Sequence, residues 1–294
     1  MRLGAFEINE PLPDLQEPHA LSILQPWVDV GGVGTLTIAW LEAHYNAQEL
    51  ARLARPGNFF DFTRYRPTIY YSEGIRQINV PNAYATYGRR ESGNDFIFLH
   101  LLEPHSHGED YVESVWQLLE KLDVRRYYLL GSMFDLVPHT RPLLVTGGAS
   151  GKRMEEEVKR LGIESSTYQG PTSITTLLTQ YARDAGIETM SLIVHLPQYT
   201  QLDDDYMGTV RLMEIVGSLY DLPVDEVYIN KAEKQLEQIN SALDKNPQLK
   251  TIVTQLENHY DASSGRGKAE REPPRLSPEV EKFLTEMEKR FREG

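Results

Sequence analysis

The sequence predicts an α/β fold, a mostly parallel sheet with helices on its faces, followed by a helical extension at the C-terminal end. Two observations predict it. Short apolar runs alternate with helical spacing over residues 21–219, the signature of units that cover a sheet with helices. The run at 95–102 is apolar without polar alternation, as expected of a central strand buried on both faces.

Taken in order, residues 21–30 read as a first strand ending in Gly31-Gly32-Val33-Gly34. A helix follows, with Leu36, Trp40, Ala43 and Leu50 near one face. Residues 68–71 and 76–80 form a strand pair around Glu73-Gly74. After the strand at 95–102, Val112, Val115, Trp116, Leu119 and Leu122 recur at three- and four-residue steps, which marks an amphipathic helix. Strands follow at 127–130 and 143–145. Met154, Val158 and Leu161 mark a helix that Gly162 closes from the C′ position. Ile174, Leu177, Leu178 and Tyr181 mark the next helix, 190–196 a further buried strand, and 210–219 a further helix. These segments make a core domain over 1–224.

The pattern then changes. Residues 225–262 carry only helical spacing, broken at Asn246-Pro247, and form a helical extension. Residues 263–276 are Ser, Gly, Pro and charged, the composition of a flexible linker. Ser277 caps a final amphipathic helix over 277–294, with Pro278 in its first turn and Val280, Phe283, Leu284, Met287 and Phe291 in one stripe. So short a helix is marginal in water and its stripe must dock, on its own core or on another subunit.

Composition narrows the function. With 43 acidic and 30 basic residues among 294, the net charge is −13. Nucleic acid and anionic lipid are disfavoured partners, since phosphate binding is driven by Lys and Arg displacing counterions. The chain has no cysteine, which excludes disulfides, Cys-ligated metals and a thiol nucleophile. Residues 1–13 do not read as a signal peptide and no apolar run is long enough for a membrane helix, so the expected address is the cytoplasm.

Several motifs invite chemistry. Gly32 sits in a glycine cluster between strand and helix, but the spacing is not that of a dinucleotide fingerprint, and a tight turn explains it. The run TGGASGKR at 146–153 lacks both the first glycine and the final hydroxyl of a phosphate loop; it reads as a turn into a helix. His105 and His107, among the carboxylates of residues 103–110, have no fixed metal-binding geometry; no metal and no cofactor is expected. Asp61, Arg64 and Arg66 form one charged cluster, and His139 with Arg141 another. Either could grip an anion or lock a loop. Thr172 and Ser173 open a helix with a hydroxyl cap. Its free amides would also suit an anion. His195 and Tyr199 lie where a strand ends, the edge on which α/β proteins keep their sites. No nucleophile–base pair is recognisable among them, so no catalytic residue is assigned.

In order, these stretches form a pattern: GGVG, DFTRYRPT at 61–68, Glu103-Pro104, LLGSMFDLVPHTRP at 129–142, YQGPTSITTLL at 168–178 and LIVHLPQY at 192–199. Order and spacing resemble the proteasome assembly chaperone 2 family, especially its long bacterial members, from about residue 21 to 260. The resemblance implies a three-layer α/β/α sandwich similar to the nucleoside phosphorylase-like fold. It also implies homo-oligomers, often trimers, and eukaryotic and archaeal relatives concerned with proteasome assembly. The family commonly has an aspartate after Glu-Pro, where this chain has His105, which weakens any role carried by that loop. Relatives are sometimes labelled ATP-grasp or carboxylate–amine ligases. That chemistry needs phosphate-binding lysines, and the first 120 residues contain none.

The expectation is therefore a non-catalytic, self-associating assembly protein, with proteasome subunits as a possible client class. Its candidate pocket comprises Gly32, Asp61, Arg64, Arg66, Glu103, His139, Arg141, Thr172, Ser173, His195 and Tyr199. The alternative is a phosphorylase- or hydrolase-like enzyme that unites several of these around an anion. A metal-dependent hydrolase using His105 and His107 is a weaker third reading.

Overall fold

A computed structural model describes residues 1–166 and 168–264. The chain opens with β1 (Arg2–Leu3), β2 (Phe6–Ile8) and β3 (His19–Gln25), then α1 (Val33–His44) and β4 (Gln48–Leu53). The hairpin β5 (Thr68–Ser72) and β6 (Ile75–Asn79) follows, then β7 (Tyr84–Gly88), β8 (Phe96–Leu102), α2 (Gly108–Lys121) and β9 (Arg126–Asp135). Next come β10 (Val145–Ser150), α3 (Lys152–Arg160), β11 (Glu164–Ser165), α4 (Ile174–Asp184), β12 (Glu188–Pro197) and α5 (Tyr206–Tyr220). Two helices complete the described chain, α6 (Glu226–Asp244) and α7 (Pro247–Ser264).

Ten strands form one sheet in the order β1-β2-β4-β7-β8-β3-β9-β12-β10-β11. Its centre, β8-β3-β9-β12, is parallel. The flanks are antiparallel, through β1, β2, β4 and β7 on one side and β10 on the other. The fold class is α/β with three layers. One face packs Ala20, Leu24, Ile97 and Leu99 against Tyr111, Val112, Val115 and Leu119 of α2 and Leu178 of α4. The other packs Leu21, Ile23, Phe98 and Leu130 against Val33, Ile38 and Leu41 of α1 and Leu212 and Val216 of α5. Adjacent strand residues thus serve opposite faces, as the pleat requires.

Side-chain caps open the last three described helices. Asp205 Oδ1 accepts from the Gly208 amide at 2.8 Å and opens α5. Asp225 does the same for α6 through Val227 at 2.8 Å. Asn246 Oδ1 accepts from the amides of Gln248 and Leu249, both at 3.1 Å, and starts α7. In α2, Glu109 and Asp110 lie in the first turn and Lys121 in the last, in the sense that favours the helix dipole.

Several elements differ from the sequence reading. The first strand ends at Gln25, because Pro26 has no amide to continue the ladder. Leu50 lies on β4, buried, and not on α1. The segment Thr146–Ser150, read as a turn, is most of β10. Its Gly147 faces Ser191 so closely that an added Cβ would sit 1.8 Å from the Ser191 carbonyl oxygen. The glycine serves strand contact, and no phosphate loop forms. Among the described residues no helix is long and apolar enough to cross a membrane. The expected linker overlaps α7 at residues 263–264; the rest of it, and the final helix over 277–294, lie outside the described residues.

Candidate functional site

The glycine cluster turns the chain from β3 into α1. Gly31 and Gly32 both have left-handed φ, 61° and 59°, which glycine adopts without steric cost. The amides that follow are already occupied. Buried Asp29 accepts from the Gly34 amide at 2.7 Å and the Thr35 amide at 3.3 Å through Oδ1, and from the Thr35 hydroxyl at 2.5 Å through Oδ2. Burial raises the pKa of this carboxyl against those hydrogen bonds. An external anion is not needed there.

The same holds at α4. Neither Thr172 nor Ser173 caps the helix through its side chain: Thr172 bonds Thr176 at 2.5 Å and Ser173 bonds Thr175 at 2.7 Å. Glu103, after β8, reaches across and accepts from the Ile174 amide at 3.1 Å. Burial pushes its pKa up while that bond draws it down, leaving it raised. The protein's own carboxylate fills the anion site at this helix N-terminus. Tyr65 donates to the Glu103 carbonyl at 3.1 Å and ties the 56–67 loop to it.

In that loop Asp61 accepts from the Thr63 amide and hydroxyl at 2.8 and 2.7 Å, which lowers its pKa. Arg64 lies 3.8 Å from Asp61, both side chains exposed. Among the described residues Arg66 bonds only the Thr63 carbonyl, at 3.4 Å, and it lines a cleft beside Tyr65 and Tyr70. His105 accepts from the Asp61 amide at 3.2 Å, and His107 meets Asp110 at 3.2 Å. Among the described residues no three His, Asp or Glu side chains group to hold a metal ion.

His139, Arg141 and Tyr199 form a separate assembly that fastens α6 and α7 to the body. The His139 backbone amide donates to the Tyr199 hydroxyl at 2.8 Å, and the ring Nδ1 meets the same oxygen at 2.5 Å. Nε2 faces Asn240 Oδ1 of α6 at 3.1 Å. Burial lowers the His139 pKa, so the neutral ring accepts from Tyr199 at Nδ1 and donates from Nε2 to Asn240. Arg141 grips Asp261 of α7 with two bonds, 2.9 and 2.7 Å, and Glu257 at 3.1 Å. Beneath them Tyr199 packs with Ile252, Val253 and Leu256.

His195 belongs to a third network, at the end of β12. Its Nδ1 lies 2.7 Å from Asp135 Oδ2 on β9, and its Nε2 lies 2.7 Å from the Thr146 hydroxyl on β10. Burial would raise the Asp135 pKa, but His195 and the Leu136 amide hold it below the usual carboxylate range. With Asp135 ionised, the ring donates to it from Nδ1, and Nε2 faces the Thr146 hydroxyl. This is the hydroxyl–imidazole–carboxylate order of a proton relay, a pairing the sequence reading did not find. No cleft described here is lined by Thr146, and the chain of bonds links three adjacent strands.

The candidate residues therefore separate into distinct groups. Asp61, Arg64, Arg66 and Glu103 share the 56–67 loop region, with Thr172 and Ser173 at the adjoining helix start. Gly32 lines a neighbouring cleft with Tyr65. His139, Arg141 and Tyr199 are engaged by α6 and α7, and His195 by Asp135 and Thr146. Sequence reasoning missed Asp29, Asp135, Asn240, Glu257 and Asp261, whose partners lie up to 120 positions away. Only Asp29, four residues before Val33 at the helix start, left a local signal.

A model of the PAC2 family matches residues 23–245. Among solved structures, a Mycobacterium tuberculosis protein of unknown function is 26% identical, with TM-score 0.78 over 91% of this chain and 94% of its own. A Corynebacterium glutamicum protein of unknown function is 22% identical, with TM-score 0.77 over 89% and 98%. A proteasome-assembly chaperone homologue of M. tuberculosis is 22% identical, with TM-score 0.70 over 80% and 99%. No curated protein matches the chain.

Proposed function

The chain belongs to the PAC2 family, and from that premise we propose that it is a non-catalytic, self-associating assembly protein of the assembly-chaperone kind. The hairpin β5–β6 carries the reading. Every residue of both strands is exposed. Within residues 69–80 lie Ile69, Tyr70, Tyr71, Ile75, Ile78 and Val80, between 40% and 72% exposed. An isolated two-stranded hairpin is marginal in water, and a contiguous apolar surface of this kind marks a contact site. In its register Ile69 faces Ile78 and Tyr71 faces Arg76, so one side of the hairpin carries Ile69, Tyr71 and Ile78 as an exposed strip with Arg76 beside it.

The dispersal of the candidate residues supports the same reading. A shared anion pocket would need Arg66, His139, Arg141 and His195 to converge, and His139, Arg141 and His195 are each engaged elsewhere. On this reading the body over 1–224 is the scaffold, 225–262 braces it, and the stripe over 277–294, beyond the linker 263–276, is offered to a partner. Proteasome subunits are the client class that the relatives suggest, and the cytoplasm the address.

The test is sedimentation velocity at about 10 µM, a concentration at which a micromolar interface is occupied. The native chain sediments as an oligomer. The triple variant Ile69→Ser, Tyr71→Ser, Ile78→Ser sediments as a monomer that still melts in one cooperative transition, since these side chains are exposed on the protomer. A monomeric native chain would overturn self-association. Purified proteasome subunits, mixed with the native chain, test the client separately: co-sedimentation supports it, and independent boundaries remove it.

A further inference from the structure

Strands β3 and β8 lie side by side and parallel, and the chain leaves their C-terminal ends in opposite directions. From β3 it passes to α1 on one face of the sheet; from β8 it passes to α2 on the other. Such a divergence opens the crevice in which α/β sheets bind ligands. Here the crevice is a cleft of about 710 Å³, with Gln25 and Leu102, the last residues of the two strands, in its floor. Its sides include Tyr65, Arg66, Tyr70 and Tyr84. A second cleft of the same volume shares Gln25, Tyr65 and Leu102 and continues past Gly32 to Asp204. Either has the volume of a small-molecule site.

The chemistry of the walls selects the ligand. Two arginines line the first cleft. Arg52 is neutralised by Glu49 through bonds of 2.7 and 2.6 Å. Arg66 has no carboxylate partner among the described residues and holds only the Thr63 carbonyl through Nε. Its two terminal nitrogens remain for a planar anion, which guanidinium takes in a two-bond fork. In a chain of net charge −13, a guanidinium in a cleft without a counter-charge asks for one from outside.

The tyrosines supply the rest. Tyr84 is held rigid by stacking on His100, with ring centres 4.3 Å apart and planes within 8°. Tyr65 is fixed by its bond to Glu103. Tyr70 stands on the hairpin, half exposed, at the mouth. Rings presented in this way favour a flat partner over a bare ion, and the volume far exceeds that of phosphate alone.

We propose that the cleft at the C-terminal ends of β3 and β8 binds a small organic anion carrying a planar ring, with its phosphate or carboxylate on Arg66 and its ring against the tyrosines. The cleft adjoins the apolar strip, since Ile78 of the hairpin lines it, but an anion on Arg66 does not require self-association. Two probes distinguish the anion source: adenosine monophosphate carries a phosphate, and salicylate a carboxylate. Titration calorimetry on the full chain is expected to show at least one of them saturating with Kd below about 1 mM. The same probe should weaken at least about tenfold in Arg66→Gln, whose exposed side chain leaves the fold untouched, and should be unchanged in Arg125→Gln. Inorganic phosphate alone and adenosine alone should each bind at least about tenfold more weakly than the better ring-bearing anion. The proposal is overturned if neither probe saturates, if Arg66→Gln binds as the native chain does, or if inorganic phosphate binds as well as the better ring-bearing anion.

Discussion

Replacing Tyr199 with Phe removes one oxygen from a buried junction and tests how α6 and α7 are held. That oxygen accepts the His139 backbone amide at 2.8 Å and donates its own proton to the His139 ring. The ring in turn donates to Asn240 of α6. Phe keeps the packing on Ile252, Val253 and Leu256, so the loss is polar. One backbone donor and one ring acceptor are left buried without partners, and His139 is only 6% exposed. A buried unsatisfied group costs about 1–3 kcal/mol; because the ring can turn toward water, the expected loss is about 2 kcal/mol. For a domain of this size that lowers Tm by about 4–8 °C. Urea and thermal unfolding measure it, with Tyr87→Phe as control, whose hydroxyl bonds Gln48 on the surface and whose loss should stay within about 0.5 kcal/mol. A Tyr199→Phe variant as stable as the control would show that the junction contributes nothing.

Three further outcomes follow from named contacts. Burial, reinforced by Arg126, Arg153 and Arg90, lowers the His19 pKa to about 3; since the unfolded chain binds that proton near pH 6.5, the stability it contributes is present above that pH and is lost on acidification. Between pH 6.5 and 5 the loss from His19 is about 2 kcal/mol, to which the lowered His139 adds in the same direction; a His19 ring that titrates near 6.5 by NMR would contradict this. Gly147→Ala must push its Cβ against the Ser191 carbonyl and should cost about 1–3 kcal/mol, so an unchanged urea midpoint would show that β10 can move away. Truncation after Asp261 keeps both carboxylates that hold Arg141 and should leave a single cooperative melt; a broadened or split transition would mean that later residues belong to the core.

The central architecture was legible because its periodicities are strong. The apolar run ending at Leu102 serves both faces of the sheet and the steps from Val112 to Leu122 serve one, and the structure places them as β8 and α2. The strands β1, β2, β4 and β7 were not legible. Gln48–Leu53, QELARL, carries Glu49 and Arg52 on one side and looks helical by composition. It is a strand only because β2 and β7 pair with it on either side. Pairing between segments tens of residues apart leaves no local pattern, and tertiary context overrides weak strand propensity. Leu50 was assigned to the wrong element for the same reason.

The site was harder to read than the fold, for a reason that His139 and His195 make plain. Both are histidines at loop or strand ends, flanked by residues that suit a pocket, and in sequence they look alike. What separates them is what comes to meet them. His139 is met by Tyr199 and by Asn240, 101 positions away; His195 is met by Asp135 and Thr146, from the strands on either side of its own. A reactive-looking residue is available to a ligand only if the fold leaves it without a partner, and partners are a property of three dimensions. Arg141 fails that condition through Asp261 and Glu257, and the amides at Gly34 and Ile174 fail it through Asp29 and Glu103. Among the candidates Arg66 meets it, lacking a carboxylate partner while standing in a cleft beside rings that are already fixed. The same logic applies to the hairpin: Ile69, Tyr71 and Ile78 are exposed apolar groups with nothing among the described residues folded over them.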